Sequence, residues 1–188
     1  MKKLLLVISA PSGAGKTTLC QKLLKELNRE LILSISSTTR APRGQERDGV
    51  EYHFLTHDQF KRGIDQGEFA EWALVHGNYY GTAKKTIEDA FSRGKSVLLD
   101  IDVQGADSLK KTFPDRNVRI FIAPPSMEEL EKRLRARGTD SEETIQKRMT
   151  NAREEMAHSK AFDHTIVNDD FDRAYAELKE KVEGALHG

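Results

Sequence analysis

An α/β fold, with a parallel sheet flanked by helices and a smaller α+β segment inserted into it, is predicted by three features of this 188-residue sequence. The first is a strand, a glycine loop and a helix in immediate succession: the apolar run Leu4-Leu5-Leu6-Val7-Ile8, then "SAPSGAGKTT" from Ser9 to Thr18, then Leu19, Leu23 and Leu27 at helical spacing. The second is the return of short β-branched runs, each separated by a segment of helical pattern, which implies parallel strands joined by crossover helices. The third is a change of pattern between Leu31 and Thr82.

Taken in order, Met1-Lys2-Lys3 and the apolar run to Ile8 imitate a signal peptide, but the run is short and enters a glycine turn instead of a cleavage site. It reads as a buried strand. From Leu31 the chain offers short strands ("LILSIS", "YHFL"), turn residues and a small helix capped by Thr56-x-x-Gln59 and ended at Gly67. Further strands are predicted at Ser96 to Ile101, Val118 to Ile122 and Thr165 to Val167. Ser126-x-x-Glu129 opens a helix running to about Arg137, with the glutamate closing a capping box, and Thr139-x-x-Glu142 starts another after Gly138.

Composition narrows the function. Thirty Lys and Arg balance thirty Asp and Glu, so there is no general basic field to hold a nucleic acid or an anionic membrane, and any anion site must be local. No stretch approaches the roughly 20 apolar residues that span a bilayer. Cys20 stands alone, which excludes an internal disulfide and a cysteine metal cluster and makes the reducing cytoplasm the expected compartment. The six histidines show no ligand spacing, and no heptad pattern indicates an oligomeric state.

The glycine loop points to phosphate. A phosphate cradle needs backbone N–H groups converging on one point, which glycines permit, and a helix N-terminus adds partial positive charge. Gly13 and Gly15 supply the turn, Lys16 a point charge and Thr17 a hydroxyl suited to Mg²⁺. The usual eight-residue pattern begins with Gly where this chain has Ala10, but the flanking strand and helix are the context the motif requires, and a P-loop NTPase-type sheet follows. Asp100, at the end of the "SVLL" run, fits a carboxylate that holds magnesium through water; read alone, it describes a surface aspartate ending a strand.

The stretch "SSTTRAPRGQERDGVEYHF", Ser36 to Phe54, resembles guanylate kinase, and so do "EWALVHGNYYGT" (71 to 82), "LLDIDVQG" (98 to 105), "IFIAPPS" (120 to 126), "RLRARGTDSEETIQKRM" (133 to 149) and "IVNDD" (166 to 170). The resemblance covers nearly the whole chain in order, and in that family Ala or Gly opens the loop. It implies ATP as co-substrate, GMP as acceptor and Mg²⁺ as cofactor, with the donor held by Ala10, Pro11, Ser12, Gly13, Ala14, Gly15, Lys16, Thr17 and Thr18. It implies a GMP-binding segment at about 34–83, a lid at about 133–149 and a core made of about 1–33, 84–132 and 150–188. Arg40, Arg43, Tyr52 and Tyr80 would grip the GMP phosphate, as the fork of arginine and the directed phenol suit. Read alone, Arg40 and Arg43 describe a solvated basic turn beside Pro42.

Guanine offers N1–H and an N2 amine as donors and O6 as an acceptor, a pattern met by a carboxylate together with hydroxyls. The resemblance places Glu71 at N1 and N2, Asp102 near N2, and the hydroxyls of Ser36 and Thr82 near O6, and it counts Asp100 among the GMP-binding residues as well. Glu71 alone would read as a surface glutamate preceding a core Trp72. The resemblance further assigns catalysis to Lys16, Arg43 and the lid arginines Arg133, Arg137 and Arg148, whereas i,i+4 spacing from Glu129 and Glu131 describes ordinary surface ion pairs for Arg133 and Arg135. Asn168 would lie near the adenine; a loop-ending asparagine is an equal reading. Two rivals remain at this level: a guanylate-kinase-like module that has lost catalysis and binds proteins, and a kinase for another nucleoside monophosphate.

Overall fold

The computed structural model describes residues 3–75, 77–136, 138 and 140–188. From the N-terminus come β1 (Leu5–Ser9), α1 (Lys16–Glu26), β2 (Leu31–Leu33), β3 (Ser37–Thr38), β4 (His53–Phe54), α2 (His57–Asp65), β5 (Phe69–Val75) and β6 (Asn78–Ala83). There follow α3 (Lys84–Ser92), β7 (Ser96–Asp100), α4 (Val103–Thr112), β8 (Asn117–Ala123), α5 (Met127–Ala136), α6 (Glu142–His158), β9 (His164–Val167) and α7 (Phe171–His187). Five strands form a sheet in the order β2-β7-β1-β8-β9, and a second, four-stranded sheet runs β4-β3-β6-β5. The pairs β2–β7 and β8–β9 are parallel. No described helix is long and apolar enough to cross a membrane.

The chain divides into two compact units: 6–28 with 118–188, and 3–5 with 29–117. In the first, β1 is buried at every position, as a strand covered on both faces must be. Leu19 and Leu23 of α1, Ile120, Phe121 and Ile122 of β8, Ile166 of β9, and Leu178 and Val182 of α7 are fully buried with it. Each such side chain contributes about 1.5–3 kcal/mol of burial. A second cluster joins Leu130 and Leu134 of α5 to Ile145, Met149 and Ala152 of α6, so these two helices form a hairpin with an apolar seam of its own.

The caps of that hairpin differ from the sequence reading. Ser126 does accept from the Glu129 N–H at 3.1 Å, but the Glu129 carboxylate turns down the helix to Arg133 Nε at 3.3 Å instead of closing a capping box. An ion pair one turn along competes with the return to the N-cap, and here the ion pair wins. The cap of α6 is Ser141, with an extended backbone and its Oγ accepting from the Thr144 N–H, so the helix starts with Glu142 in its first turn. Thr139, the cap expected from the sequence, lies outside the described residues.

In the second unit, Leu31–Leu33 belongs to the parallel pair with β7, Ile32 opposite Val97; the change of pattern begins at Leu31, whereas the resemblance sets the start of the inserted segment at about 34. The four-stranded sheet packs beneath α2, where Phe60 stacks on Phe69 at 4.2 Å and on Tyr79 at 5.2 Å between ring centroids. The capping box of α2 is complete: Thr56 N–H donates to Gln59 Oε1 at 2.8 Å and Gln59 N–H to Thr56 Oγ1 at 3.2 Å.

One irregularity of this sheet reverses an expectation. Phe69 pairs with Ala83 but Glu71 with Thr82, so Ala70 is an extra residue on β5, a β-bulge. The bulge lets Ala70 and Glu71 both face inward and puts the strand's alternation out of step by one residue. Glu71 is therefore 6% exposed and Trp72 44% exposed, the opposite of a surface glutamate before a core tryptophan.

Candidate functional site: a glycine loop and a buried carboxylate

In the first unit, β1 ends at the buried Ser9 and the loop Ala10–Gly15 leads into α1. Pro11 and Ala14 are buried, Ala10 is half-buried, and Ser12, Thr17 and Thr18 are exposed. The Ala14 N–H donates to Pro11 O at 3.0 Å, closing the turn, and Gly13 and Gly15 take φ values of +99° and +90° that only glycine adopts without strain. Gly15 is the N-cap of α1 and offers no side chain to the first-turn N–H groups; no acidic residue sits in that turn. The end of the helix thus keeps its positive character for an anion, beside the partly buried Lys16. Cys20, one turn further, is buried, and desolvation pushes its thiol up to about 11, which makes it inert.

The α5–α6 hairpin delivers arginines to this loop. Arg148 Nη1 donates to Ser12 Oγ at 3.0 Å and Nη2 to Asp140 Oδ1 at 3.1 Å. Arg133 pairs with Glu129 and donates from Nη1 to the Asn168 carbonyl at 3.0 Å. The ion pair to Glu129 that the spacing describes is present, and the guanidinium also reaches the strand end at Asn168. Arg137 lies outside the described residues. Asn168 is buried, and its Nδ2 donates to Ala14 O at 2.7 Å.

In the second unit, the bulge of β5 turns Glu71 inward, where it is buried. Thr82 Oγ1, across the ladder on β6, donates to Glu71 Oε1 at 2.7 Å. Burial, only partly offset by Thr82 and reinforced by the nearby charge of Asp102, raises the Glu71 carboxyl to about 7. Asp102 follows β7 and caps α4, its Oδ1 accepting from the Gly105 N–H at 2.8 Å. A Cβ on Gly105 would lie 2.8 Å from Glu71 Oε2, so this glycine makes room for the carboxylate. Asp100 is exposed at the end of β7, and Ser36 is half-buried just before β3.

Arg40 lies beside the same sheet. Its guanidinium grips Glu46 with both terminal nitrogens at 3.0 Å and stacks over Tyr52 at 5.3 Å. Tyr52 and Tyr80 meet edge to face at 6.0 Å, and burial raises the Tyr52 phenol, keeping it a donor. Arg43 is exposed, and its N–H donates to Glu46 Oε2 at 2.8 Å. Glu46 thus holds the Arg40 guanidinium and the Arg43 N–H, with Tyr52 and Tyr80 beside Arg40.

The family model for guanylate kinase matches residues 2–185. The chain belongs to the guanylate kinase family. It is 52% identical to the guanylate kinase of Myxococcus xanthus (strain DK1622) over 180 residues, 95% of this chain and 85% of that protein. It is 54% identical to the guanylate kinase of Nitratidesulfovibrio vulgaris over 176 residues, 94% of this chain and 84% of that one. Among solved structures, the crystal structure of guanylate kinase from Anaplasma phagocytophilum superposes with a TM-score of 0.80 at 34% identity, covering all of this chain and 88% of that one. For a guanylate kinase, two residues here escaped the sequence reading. Glu46, an acidic residue set among Arg40, Arg43 and Arg47, carried a signal in its charge pattern; Gly105, three residues after Asp102, carried one as the partner of an N-cap.

Proposed function

We infer that the chain transfers the γ-phosphoryl group of ATP to GMP, giving ADP and GDP, and that it does so in the cytoplasm, where its single buried cysteine stays reduced. The observation that carries the acceptor assignment is Glu71: a buried carboxylate held by Thr82, with the Asp102 side chain beside it. Such a group seeks a neutral partner with two adjacent donors, and the N1–H and N2 edge of guanine supplies them. Adenine lacks that edge and would leave the carboxylate unpaired, a mismatch that discriminates by as much as ~10⁴–10⁵.

In this reading Ser36 meets O6, Thr82, expected near O6, gives its one hydroxyl hydrogen to Glu71 and so orients that carboxylate, Asp102 meets the N2 amine, and Arg40, Arg43, Tyr52 and Tyr80 the phosphate; all but Asp102 lie within the segment 34–83. Residues Ala10 to Thr18 hold the donor phosphates, with Lys16 between β- and γ-phosphate. The 133–149 hairpin acts as lid, bringing Arg133, Arg137 and Arg148 to the transferring group and excluding water that would otherwise accept it. Because the attacking GMP oxygen is anionic near neutral pH, no general base is needed. Alignment and positive charge do the catalytic work.

Mg²⁺ takes hard oxygen, which the exposed Thr17 hydroxyl offers and which the exposed Asp100 carboxylate would offer through water. Among the described residues no cluster of three or more His, Cys, Asp or Glu side chains forms a protein cage, so the ion would be carried largely by ATP. When bound it neutralises charge on the β- and γ-oxygens.

The deciding experiment measures ADP formation from ATP and Mg²⁺ with GMP, AMP or UMP as acceptor. Strong stimulation by GMP alone is expected. Equal stimulation by AMP would discard the Glu71 assignment, and GMP binding without turnover would reduce the protein to a binding module.

A further inference from the structure

Asn168 stands immediately after β9, whose register against β8 sets Val167 opposite Ala123. Its backbone N–H donates to Ala123 O at 2.8 Å and its carbonyl accepts from Arg133 Nη1 at 3.0 Å. The side chain is buried, and its Nδ2 donates to Ala14 O at 2.7 Å, inside the glycine loop. The partner is a carbonyl, which can only accept, so the amide must present its nitrogen there.

In a trans peptide the C=O of one residue and the N–H of the next point in opposite directions. No cis bond occurs in the described chain. Holding the Ala14 carbonyl toward Asn168 therefore aims the Gly15 N–H the other way, outward from the buried amide. That N–H is one of the donors on which a phosphate cradle depends. The same contact explains the loop's last glycine: a Cβ at Gly15 would lie 2.3 Å from Asn168 Nδ2.

We propose that Asn168 is a positioning residue for the donor phosphates: by anchoring the Ala14 carbonyl it aims the loop amides, and by its own carbonyl it ties Arg133 to the same strand end. The role rests on the reading of the loop as the ATP phosphate site. It differs from a contact with the donor's base, because a loop held out of aim weakens any triphosphate, whatever base it carries.

The test compares the protein with Asn168→Asp, which keeps size but replaces the donor with an acceptor, and with Asn168→Ser, whose hydroxyl is too short to reach. Readouts are kcat/KM with ATP and with CTP as donors, inhibition by inorganic tripolyphosphate, GMP affinity by calorimetry, and thermal melting. Both variants are expected to lose about tenfold or more with ATP, CTP and tripolyphosphate alike, with GMP affinity within twofold of the parent; if one variant fails to fold, the other decides. A loss confined to ATP, or unchanged tripolyphosphate inhibition in a folded variant, overturns the proposal. Should the parent show no GMP-dependent transfer, the functional reading fails, while tripolyphosphate affinity, measured directly by calorimetry on parent and variants, still judges Asn168.

Discussion

Thr82 Oγ1 donates to Glu71 Oε1 across the β5–β6 ladder at 2.7 Å, and it does so to the carboxylate of a residue that is only 6% exposed. One hydroxyl only partly offsets that burial. Glu71 accordingly titrates at about 7, well above the ordinary glutamate range. Because the folded value exceeds the unfolded one, the stability linked to this group is fully present below pH ~4.5 and is lost as pH rises through ~7, a difference on the order of 3 kcal/mol. Glu71→Gln should therefore melt at a higher temperature than the parent at pH 8 and show a flatter dependence between pH 5 and 8. A variant profile that parallels the parent's would show that burial here does not cost what the geometry implies.

The same ionisation should govern acceptor binding. Guanine's donors require the charged carboxylate, so GMP binding below pH 7 must release a proton, and affinity should fall up to ~10-fold per pH unit on the acid side. Calorimetry at pH 6 in buffers of different ionisation enthalpy reads the proton directly. Proton uptake would contradict the sign.

Gly105→Ala separates packing from propensity. In an ordinary exposed helix the change would stabilise by about 1 kcal/mol. Here the new Cβ meets Glu71 Oε2 at 2.8 Å and must push the carboxylate aside. The expected result is a KM for GMP raised about tenfold or more, with the KM for ATP unchanged. Steady-state kinetics with each substrate varied in turn checks it.

Glu46 holds the Arg40 fork and the Arg43 N–H together. If it organises these groups for phosphate, Glu46→Ala should raise the KM for GMP about tenfold with a smaller effect on kcat, and Glu46→Gln should recover part, since neutral hydrogen bonds are worth ~1 kcal/mol against ~1.5–3 for charged ones. A lower KM in Glu46→Ala would instead reveal a carboxylate competing with the substrate for Arg40.

Lys16 is assigned to the donor. Lys16→Ala should abolish transfer while GMP affinity, measured by calorimetry on a folded sample, stays within twofold of the parent. Lost GMP binding would merge two roles that are kept separate above.

Some of this was legible in the order of residues. The five-residue apolar run of β1, the glycine loop and the 19-23-27 leucine spacing specified a strand, a phosphate turn and an amphipathic helix, because each depends on neighbours in sequence. The capping boxes show where local reading stops. Thr56 and Gln59 close theirs in isolation, but Glu129 is drawn away by Arg133, and Ser141 begins α6 where Thr139 was expected.

The sequence by itself therefore determined the alternation of strands and helices, the presence of an anion loop and, through its motifs, the likeness to guanylate kinase. Only the tertiary structure decided that β2 takes β7 as its parallel partner, that Glu71 is buried while Trp72 is not, and that Asn168 holds the loop from 154 residues away in the chain. Each depends on a distant pairing register, a bulge or a buried hydrogen bond, and the energies of such contacts are fixed by which atoms lose water together, a property no local pattern contains.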